Sequence, residues 1–160
     1  MLPATPMPDT VETALFEEAV ECIKQFEGWH GPGHYPYVGY GHKLLPGETF
    51  GSDISRQTGD SLLRADLLQK CAVFRRFGKD SLLLGVLAYN VGEYRLLGIG
   101  RKPKSELIRK LENGDRNILQ EYVSFRMYNG KVVPSIERRR RTEHELLFDK
   151  THLQITFSEI

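Results

Sequence analysis

The sequence predicts an α+β fold in which a small, glycine-rich β-hairpin lobe is followed by a larger, mainly α-helical lobe. Two observations support this prediction. Seven glycines and three prolines are concentrated between Gly28 and Gly51, which is typical of a turn-rich hairpin region. On both sides of that region, apolar residues recur at helical spacing. A chain of 160 residues can bury roughly 70% of the surface that its unfolded form exposes, so one core is sufficient.

Composition and charge indicate one ordinary domain. The chain is 40% hydrophobic and 27% charged with a formal net charge of +1, which excludes a disordered tail protein, a collagen-like repeat and a coiled coil. We expect an N-terminal segment at residues 1–9, a single domain at residues 10–150 and a C-terminal tail at residues 151–160. No stretch approaches the roughly 20 apolar residues of a membrane span, and no secretory signal is visible at the start.

The first helix is predicted over Thr10–Phe26. Asp9 and Glu12 have the spacing of a capping box, and apolar residues then recur every three or four positions. Gly28 ends the helix, so Glu27 is a carboxylate at the point where the helix enters a loop. The field at a helix C-terminus disfavours a negative charge, which suits such a carboxyl group to donate a proton.

The elements after this helix follow from local signals. Strand-forming residues in the glycine-rich region are Tyr35, Tyr37, Val38 and Tyr40. A long amphipathic helix is predicted from Thr58 to about Gly78, and an apolar helix at Ser81–Val91. A short piece at Glu93–Leu97 is followed by a helix from Pro103 to before Gly114 and by a helix capped by Asp115. The last predicted elements are a turn at Asn129–Gly130 and a helix from Pro134 through Phe148. The exposed side of that last helix is expected to carry Arg138, Arg139, Arg140 and Arg141.

Charge is unevenly distributed along the chain. Residues 1–28 carry a balance of −5 and residues 101–141 a balance of +7. A basic stripe of this kind is either a solvated helical face or a surface for an anionic partner, such as nucleic acid or an acidic cell-wall polymer. Nucleic acid is the weaker alternative, because no recognisable nucleic-acid motif accompanies the arginines.

The cysteines and histidines do not have the spacing of a metal site or of a disulfide framework. Cys22 and Cys71 each occupy an apolar position of a predicted helix, so we expect two buried thiols, although one bridge remains an alternative. His30, His34 and His42 are spaced at four and eight residues without an accompanying acid or cysteine. We therefore expect no metal site and no cofactor.

Four motifs in order resemble the phage-type lysozymes, glycoside hydrolase family 24. They are KQFEG followed by VGYGHKLLPGE, then LAYNVG at Leu87–Gly92, LIRKLENGD at Leu107–Asp115 and the arginine-rich helix at Arg139–Leu147. The resemblance spans roughly residues 15–148. It implies a lysozyme-like fold with a glycan cleft between the two lobes, and cleavage of the β-1,4 bond between N-acetylmuramic acid and N-acetylglucosamine in peptidoglycan.

The resemblance also implies roles for individual residues. Glu27 matches the general acid of the family, and either Arg139 or Arg140 matches an arginine close to that glutamate, which would fix the direction of the carboxylate. The residues expected to contact the glycan are Trp29, Tyr37, Tyr40, His42, Asn90, Gly92, Arg139 and Arg140. Hairpin packing is the alternative for the aromatic residues, a structural hydrogen bond for His42 and a helix ending for Asn90.

The second catalytic group of the family is missing from its expected place. No Asp or Glu occurs between Glu27 and Glu48, and Tyr37 stands where the family has a threonine. His34 is the preferred replacement, because a neutral imidazole can act as a base near pH 7, and His30 is the spare candidate. Two alternatives stay open: transglycosylation with Glu27 alone, and a glycan-binding module without catalysis.

Substrate and compartment follow from the same resemblance. The expected partner is the glycan strand of peptidoglycan, and we expect the protein to act as a monomer without a membrane span. Because this substrate lies outside the cytoplasmic membrane, we expect a periplasmic or secreted location, although no signal peptide is visible.

Overall fold

The computed structural model describes residues 10–150, and the side chains from residue 13 onward. The elements in these residues are α1 (Thr10–Glu27), β1 (Tyr37–Val38), β2 (His42–Lys43), α2 (Arg56–Val73), α3 (Ser81–Val91), α4 (Tyr94–Leu97), α5 (Glu106–Glu112), α6 (Leu119–Val123), β3 (Met127–Tyr128), β4 (Lys131–Val132) and α7 (Pro134–Leu147). Short 3₁₀ turns lie at Pro32–His34 and Arg75–Asp80. The predicted α+β class is confirmed.

The described residues fall into two compact units, the first ending at Asp66 and the second beginning at Leu67. This boundary lies inside α2, so the same helix contributes its first half to one unit and its second half to the other. The segments predicted at residues 1–9 and 151–160, and the proposed capping residue Asp9, lie outside the described residues.

Ion pairs join α1 to the first half of α2 in the first unit. Arg64 donates two hydrogen bonds to the Glu17 carboxylate, at 2.6 and 2.9 Å, and one to Asp60 at 2.8 Å. Lys24 approaches the other oxygen of Asp60 at 2.7 Å. The Arg64 guanidinium lowers the pKa of both Glu17 and Asp60. This chain of charges holds the two helices together beside a core that includes Ala19, Val20, Ile23 and Leu63.

The predicted hairpin forms, but its strands are only two residues long. Val38 pairs with His42 in an antiparallel register, and an isolated bridge joins His30 to Gly39. Tyr40, predicted as a strand residue, lies in the turn because Gly39 and Gly41 on either side of it adopt positive φ angles of 60° and 98°. Tyr35 likewise lies in a turn, directly after the 3₁₀ segment.

The hairpin packs closely against α2 at Gly59. A β-carbon at this position would lie 2.6 Å from the Trp29 ring and 3.5 Å from the Gly39 Cα. Only a glycine therefore lets the indole and the hairpin backbone approach the helix this closely.

The apolar helix α3 is the centre of the second unit. Its boundaries are those predicted, and every residue from Leu83 to Ala88 is buried. Gly85 allows close packing against α2, since a β-carbon there would lie 2.5 Å from Cys71 Sγ and 3.0 Å from the Cys71 nitrogen. Leu67 of α2 adds to this core, as does Phe74, which lies just beyond the end of α2 at Val73. The helix predicted to run to about Gly78 thus ends earlier, and a 3₁₀ turn follows it.

Two predicted helix starts were displaced along the chain. The helix expected from Pro103 begins at Glu106, because Ser105 provides the cap and accepts a hydrogen bond from the Ile108 N–H at 3.3 Å. The helix expected after Asp115 begins only at Leu119. The Asp115 carboxylate instead accepts a hydrogen bond from the Asn117 N–H, which closes a local turn.

A second hairpin, β3–β4, surrounds the predicted turn at Asn129–Gly130. Met127 pairs with Val132 and Tyr128 with Lys131. Both turn residues adopt positive φ, 50° at Asn129 and 76° at Gly130, which confirms the turn.

The prediction that all four arginines of α7 are exposed was wrong. Arg138 and Arg141 are exposed, whereas Arg139 is only 7% and Arg140 0% accessible. The physical reason is a buried counter-ion: Glu143, one turn further along the helix, pairs with both guanidinium groups. The helix therefore presents two separated cations and not a continuous basic stripe.

Further expectations from the sequence concern cysteines, metals and membranes. Cys22 and Cys71 form no disulfide within the described residues, and Cys22 is buried as expected, whereas Cys71 is only partly buried. Among residues 10–150, no group of three His, Cys, Asp or Glu side chains is arranged to hold a metal ion. No helix in the same part of the chain combines the length and apolar character that crossing a bilayer requires.

Candidate active site

Glu27 is the last residue of α1 and its side chain is half-buried. The chain turns away immediately, because Gly28 adopts φ of +66° and its N–H closes the helix on the Lys24 carbonyl at 3.0 Å. The predicted helix end is thus confirmed, and the carboxylate stands at the junction between the helix and the glycine-rich loop.

Gly41 provides the surface against which the Glu27 carboxylate lies. A β-carbon on Gly41 would stand 3.3 Å from Glu27 Oε2, and 3.6 Å from Cε1 of His30. The carboxylate of Glu27 and the imidazole of His30 therefore meet at one point on the hairpin backbone. The absence of a side chain at Gly41 leaves room for both.

His30 is anchored to the hairpin by two contacts with Gly39. Its backbone N–H donates to the Gly39 carbonyl at 2.8 Å, and its Nδ1 lies 3.1 Å from the same oxygen. The ring of His34 contacts the His30 ring edge-on at a centroid distance of 5.0 Å, and the Tyr37 ring lies 6.2 Å away. His30 is consequently held in one orientation by backbone and ring contacts.

His34 is exposed and belongs to the 3₁₀ turn Pro32–His34. Its Nδ1 accepts a hydrogen bond from the Gly31 N–H at 3.0 Å. The structure thus places the preferred second group, His34, in ring contact with the spare candidate, His30.

His42 is buried, with 5% exposure, and lies between two carboxylates. Its Nδ1 is 2.6 Å from Asp66 Oδ2, and its Nε2 is 2.8 Å from Glu48 Oε1. Burial opposes a positive charge on the ring, but the hydrogen bonds with Asp66 and Glu48 outweigh it and raise the pKa of His42. The Leu45 N–H and His42 together lower the pKa of Glu48. Through its two ring nitrogens, His42 therefore joins the hairpin to Glu48 in the following turn and to Asp66 in α2. We call these three residues the His42 clamp.

Trp29 and Tyr40 form a packed aromatic pair. Their rings meet edge-on at 5.0 Å, the Arg56 guanidinium lies 4.1 Å from the Trp29 centroid, and Lys24 Nζ lies 5.2 Å from that of Tyr40. Since Trp29 also rests on Gly59, much of the surface of its indole ring is already in contact with protein. Stacking on a sugar remains a prediction for both residues.

Tyr37 is more accessible and lines a small cavity. Its side chain is 41% exposed. The cavity has a volume of about 170 Å³ and is lined by Gly31, Pro32, Tyr35, Tyr37, Val38, Phe50, Gly51 and Ser52. An exposed phenol at the edge of an apolar hollow is a suitable platform for a sugar ring.

The remaining predicted glycan contacts belong to the second unit. Asn90 is exposed, and its Oδ1 accepts a hydrogen bond from Arg140 Nη2 at 2.6 Å. Gly92 ends α3 with φ of +85°, and its N–H donates to the Ala88 carbonyl. Arg139 Nε donates to Glu143 Oε2 at 3.0 Å. Because Arg140 Nε also pairs with Glu143 at 3.2 Å, Asn90, Arg140 and Glu143 form one network.

Sequence reasoning missed three residues that shape the site. Gly41, Glu48 and Asp66 were assigned no part in the site. The spacing of the GYGH motif relative to Glu27 was a usable signal for Gly41. Asp66 offered none, because it follows His42 by 24 residues on a different element.

Comparisons with known proteins agree with this architecture. The family model described as phage lysozyme matches residues 24–143, well over half of the chain. The structure resembles the crystal structure of the active form of the P1 phage endolysin Lyz, with a TM-score of 0.65 and 18% identity, over 89% of this chain and 92% of that chain. At this identity the likeness shows the fold. No curated protein matches the chain significantly.

Proposed function

The chain belongs to the phage lysozyme family and has a lysozyme-like α+β fold, and on this basis we propose that it is an N-acetylmuramidase. In this proposal it hydrolyses the β-1,4 bond between N-acetylmuramic acid and N-acetylglucosamine in peptidoglycan. Glu27 is the general acid. The proposal treats residues 10–150 as one lysozyme-like domain that acts as a monomer.

The position of Glu27 is the observation that carries this proposal. The carboxyl group is half-buried at the end of α1 and is backed by Gly41 of the GYGH loop. In the reaction, the protonated carboxyl donates its proton to the glycosidic oxygen while the bond from that oxygen to the anomeric carbon breaks. Water supplies the hydroxyl group that the anomeric carbon gains.

A second group must remove the proton of that water. In most glycosidases it is a carboxylate, but the loop between Glu27 and Glu48 contains no Asp or Glu. His34 and His30 are the candidate bases in this loop. His30 lies beside Gly41, as Glu27 does, and its ring is 5.0 Å from that of His34, which supports both as candidates.

We assign the glycan-binding role first to Tyr37, because its ring is exposed beside a cavity. The other members of the proposed binding set are Trp29, Tyr40, His42, Asn90, Gly92, Arg139 and Arg140. Of these, His42, Arg139 and Arg140 are buried and have charged partners in the protein, which supports positioning roles for them. Because peptidoglycan lies outside the cytoplasmic membrane, we propose that the protein acts in the periplasm or after secretion.

Digestion of purified peptidoglycan tests the proposal. We expect the wild-type protein to release fragments with reducing N-acetylmuramic acid ends, detected by mass spectrometry. Glu27→Gln should lower the rate by at least about 100-fold, because it removes the transferable proton without changing the shape of the side chain. Glu18→Gln, an exposed position on the same helix, is the matched control and should remain active.

Other outcomes identify the alternatives. Fragments lighter by one water would indicate an anhydro product and hence a transglycosylase. Binding to the cell wall without any released fragment would indicate a glycan-binding module. Equal activity of wild type and Glu27→Gln would remove Glu27 from the mechanism.

A further inference from the structure

The identity of the base can be inferred from how each histidine is hydrogen-bonded, and this inference rests on the proposed function. We propose that His30, and not His34, accepts the proton of the attacking water. The two rings are neighbours, yet their Nδ1 atoms face partners of opposite character. Because a neutral imidazole has one donor nitrogen and one acceptor nitrogen, those partners determine where the lone pair of each ring lies.

The lone pair of His34 is already in use. A backbone N–H is only a donor, so the Gly31 N–H, 3.0 Å away, requires an acceptor at His34 Nδ1. The single proton of the neutral ring is then on Nε2, which leaves that atom as a donor. His34 can accept a proton only by giving up its bond with Gly31, so it is poorly suited to act as a base.

His30 has the complementary tautomer. A carbonyl oxygen is only an acceptor, so the Gly39 carbonyl at 3.1 Å requires a proton on His30 Nδ1. The lone pair of the neutral ring is therefore on Nε2. The backbone bond from the His30 N–H to the same oxygen, at 2.8 Å, fixes the ring relative to the hairpin. A base held in one tautomer and one orientation requires little reorganisation during the reaction.

The location of His30 also suits a base that works with Glu27. Its Cε1 atom, bonded directly to Nε2, lies 3.6 Å from the β-carbon position of Gly41, and Glu27 Oε2 lies 3.3 Å from the same position. The acid and the base thus flank one point on the loop. His34 packs edge-on against His30 and supports its orientation.

The chemical step balances with these two groups alone. The oxygen of a water molecule attacks the anomeric carbon, and one proton of that water moves to His30 Nε2. The Glu27 proton moves to the leaving oxygen as the glycosidic bond breaks. Afterwards the imidazolium loses a proton and the Glu27 carboxylate regains one through solvent. Direct attack by water inverts the configuration of the anomeric carbon, so the first product has the α configuration.

A matched pair of asparagine variants tests this assignment. In His30→Asn the side-chain amide can still donate to the Gly39 carbonyl, and in His34→Asn the side-chain oxygen can still accept from the Gly31 N–H. Each variant therefore retains the hydrogen bond made by Nδ1 and loses Nε2 together with the ring contacts. We expect His30→Asn to lower kcat at least about 100-fold with little change in KM. His34→Asn, which loses only a ring contact with His30, should lower kcat less than about tenfold.

Azide and product stereochemistry give readouts that a merely structural role would not affect. Sodium azide should restore turnover of His30→Asn and give an α-glycosyl azide, because azide needs no base, and it should not restore Glu27→Gln. NMR of the wild-type reaction should show the α anomer first. A comparable loss in His34→Asn, near-normal activity of His30→Asn or a β product would overturn the assignment. Absence of any wild-type product would instead refute the proposed function itself.

Discussion

Gly41 and Glu27 are in such close proximity that a β-carbon on the glycine would lie 3.3 Å from a carboxylate oxygen of the glutamate. We predict that Gly41→Ala lowers activity on peptidoglycan about tenfold, because the new methyl group displaces the carboxyl group by a few tenths of an ångström and the proposed acid must be placed accurately. The rate of peptidoglycan solubilisation measures this effect.

Gly47→Ala is the matched control for that variant. Gly47 also adopts a positive φ, 88° against 98° at Gly41, but no atom lies within 4 Å of its β-carbon position. Both variants therefore lose about 1–2 kcal/mol of stability to backbone strain, and only Gly41→Ala should lose activity as well. Equal activities of the two variants would show that contact with Glu27 is unimportant.

The His42 clamp should make stability depend on pH. Because the folded-state pKa of His42 is raised above its ordinary value of 6.5, its stabilisation is fully present below pH 6.5 and is lost as the pH rises through the folded-state value. We expect the Tm difference between wild type and His42→Gln to shrink by a few degrees between pH 6 and pH 9.

The comparison with His42→Gln is needed because His144 makes stability change with pH in the opposite direction. Burial lowers the pKa of His144, so its contribution is present above pH 6.5 and is lost as the pH falls. A difference in Tm that stays constant from pH 6 to pH 9 would contradict the charged clamp.

Glu143 should be essential for stability. It is fully buried and its carboxylate meets Arg139 at 3.0 Å, Arg140 at 3.2 Å and the Tyr122 hydroxyl at 2.9 Å. Glu143→Gln removes the buried negative charge that pairs with two buried guanidinium groups, which should cost about 3–5 kcal/mol. Urea denaturation measures this loss. Glu145→Gln, exposed on the same helix, should change stability by less than about 0.5 kcal/mol, and a similar loss in both variants would refute the argument.

Cys71 should be unreactive in the native protein. Burial raises the pKa of its thiol to about 12, and Sγ lies 2.5 Å from the β-carbon position of Gly85. In a Cys22→Ala background, a thiol reagent at pH 8 should label Cys71 only upon unfolding, whereas an added Ser61→Cys on the exposed side of α2 should react at once. Rapid labelling of Cys71 under native conditions would be inconsistent with its packing.

Local patterns predicted much of the fold and one part of the candidate site. The ends of α1 and α3 and the turn at Asn129–Gly130 agree with the sequence, because helical periodicity, glycine and β-turn chemistry act over a few residues. The position of Glu27 follows from the end of α1 in the same way. Its role as the acid stays a proposal.

The sequence-based predictions that were wrong concern buried charges and short strands. Arg139 and Arg140 were expected on the surface, although they are the two arginines of this run that stand four and three residues before Glu143, the spacing of an ion pair within a helix. Their burial depends on packing between helices and on Glu143, which α7 turns to the same side. Strand propensity likewise placed Tyr40 in a strand, where the flanking positive φ angles make a turn.

The sequence by itself determined the helices, the hairpin region, the family resemblance and the carboxylate at the end of α1. Only the tertiary structure decided which partner each polar group has: Asp66 and Glu48 for His42, the Gly39 carbonyl for His30 and the Gly31 N–H for His34. The physical reason is the separation along the chain over which each kind of interaction acts. Backbone propensities act between near neighbours, whereas the protonation and orientation of a side chain depend on donors and acceptors that folding brings from elsewhere in the chain.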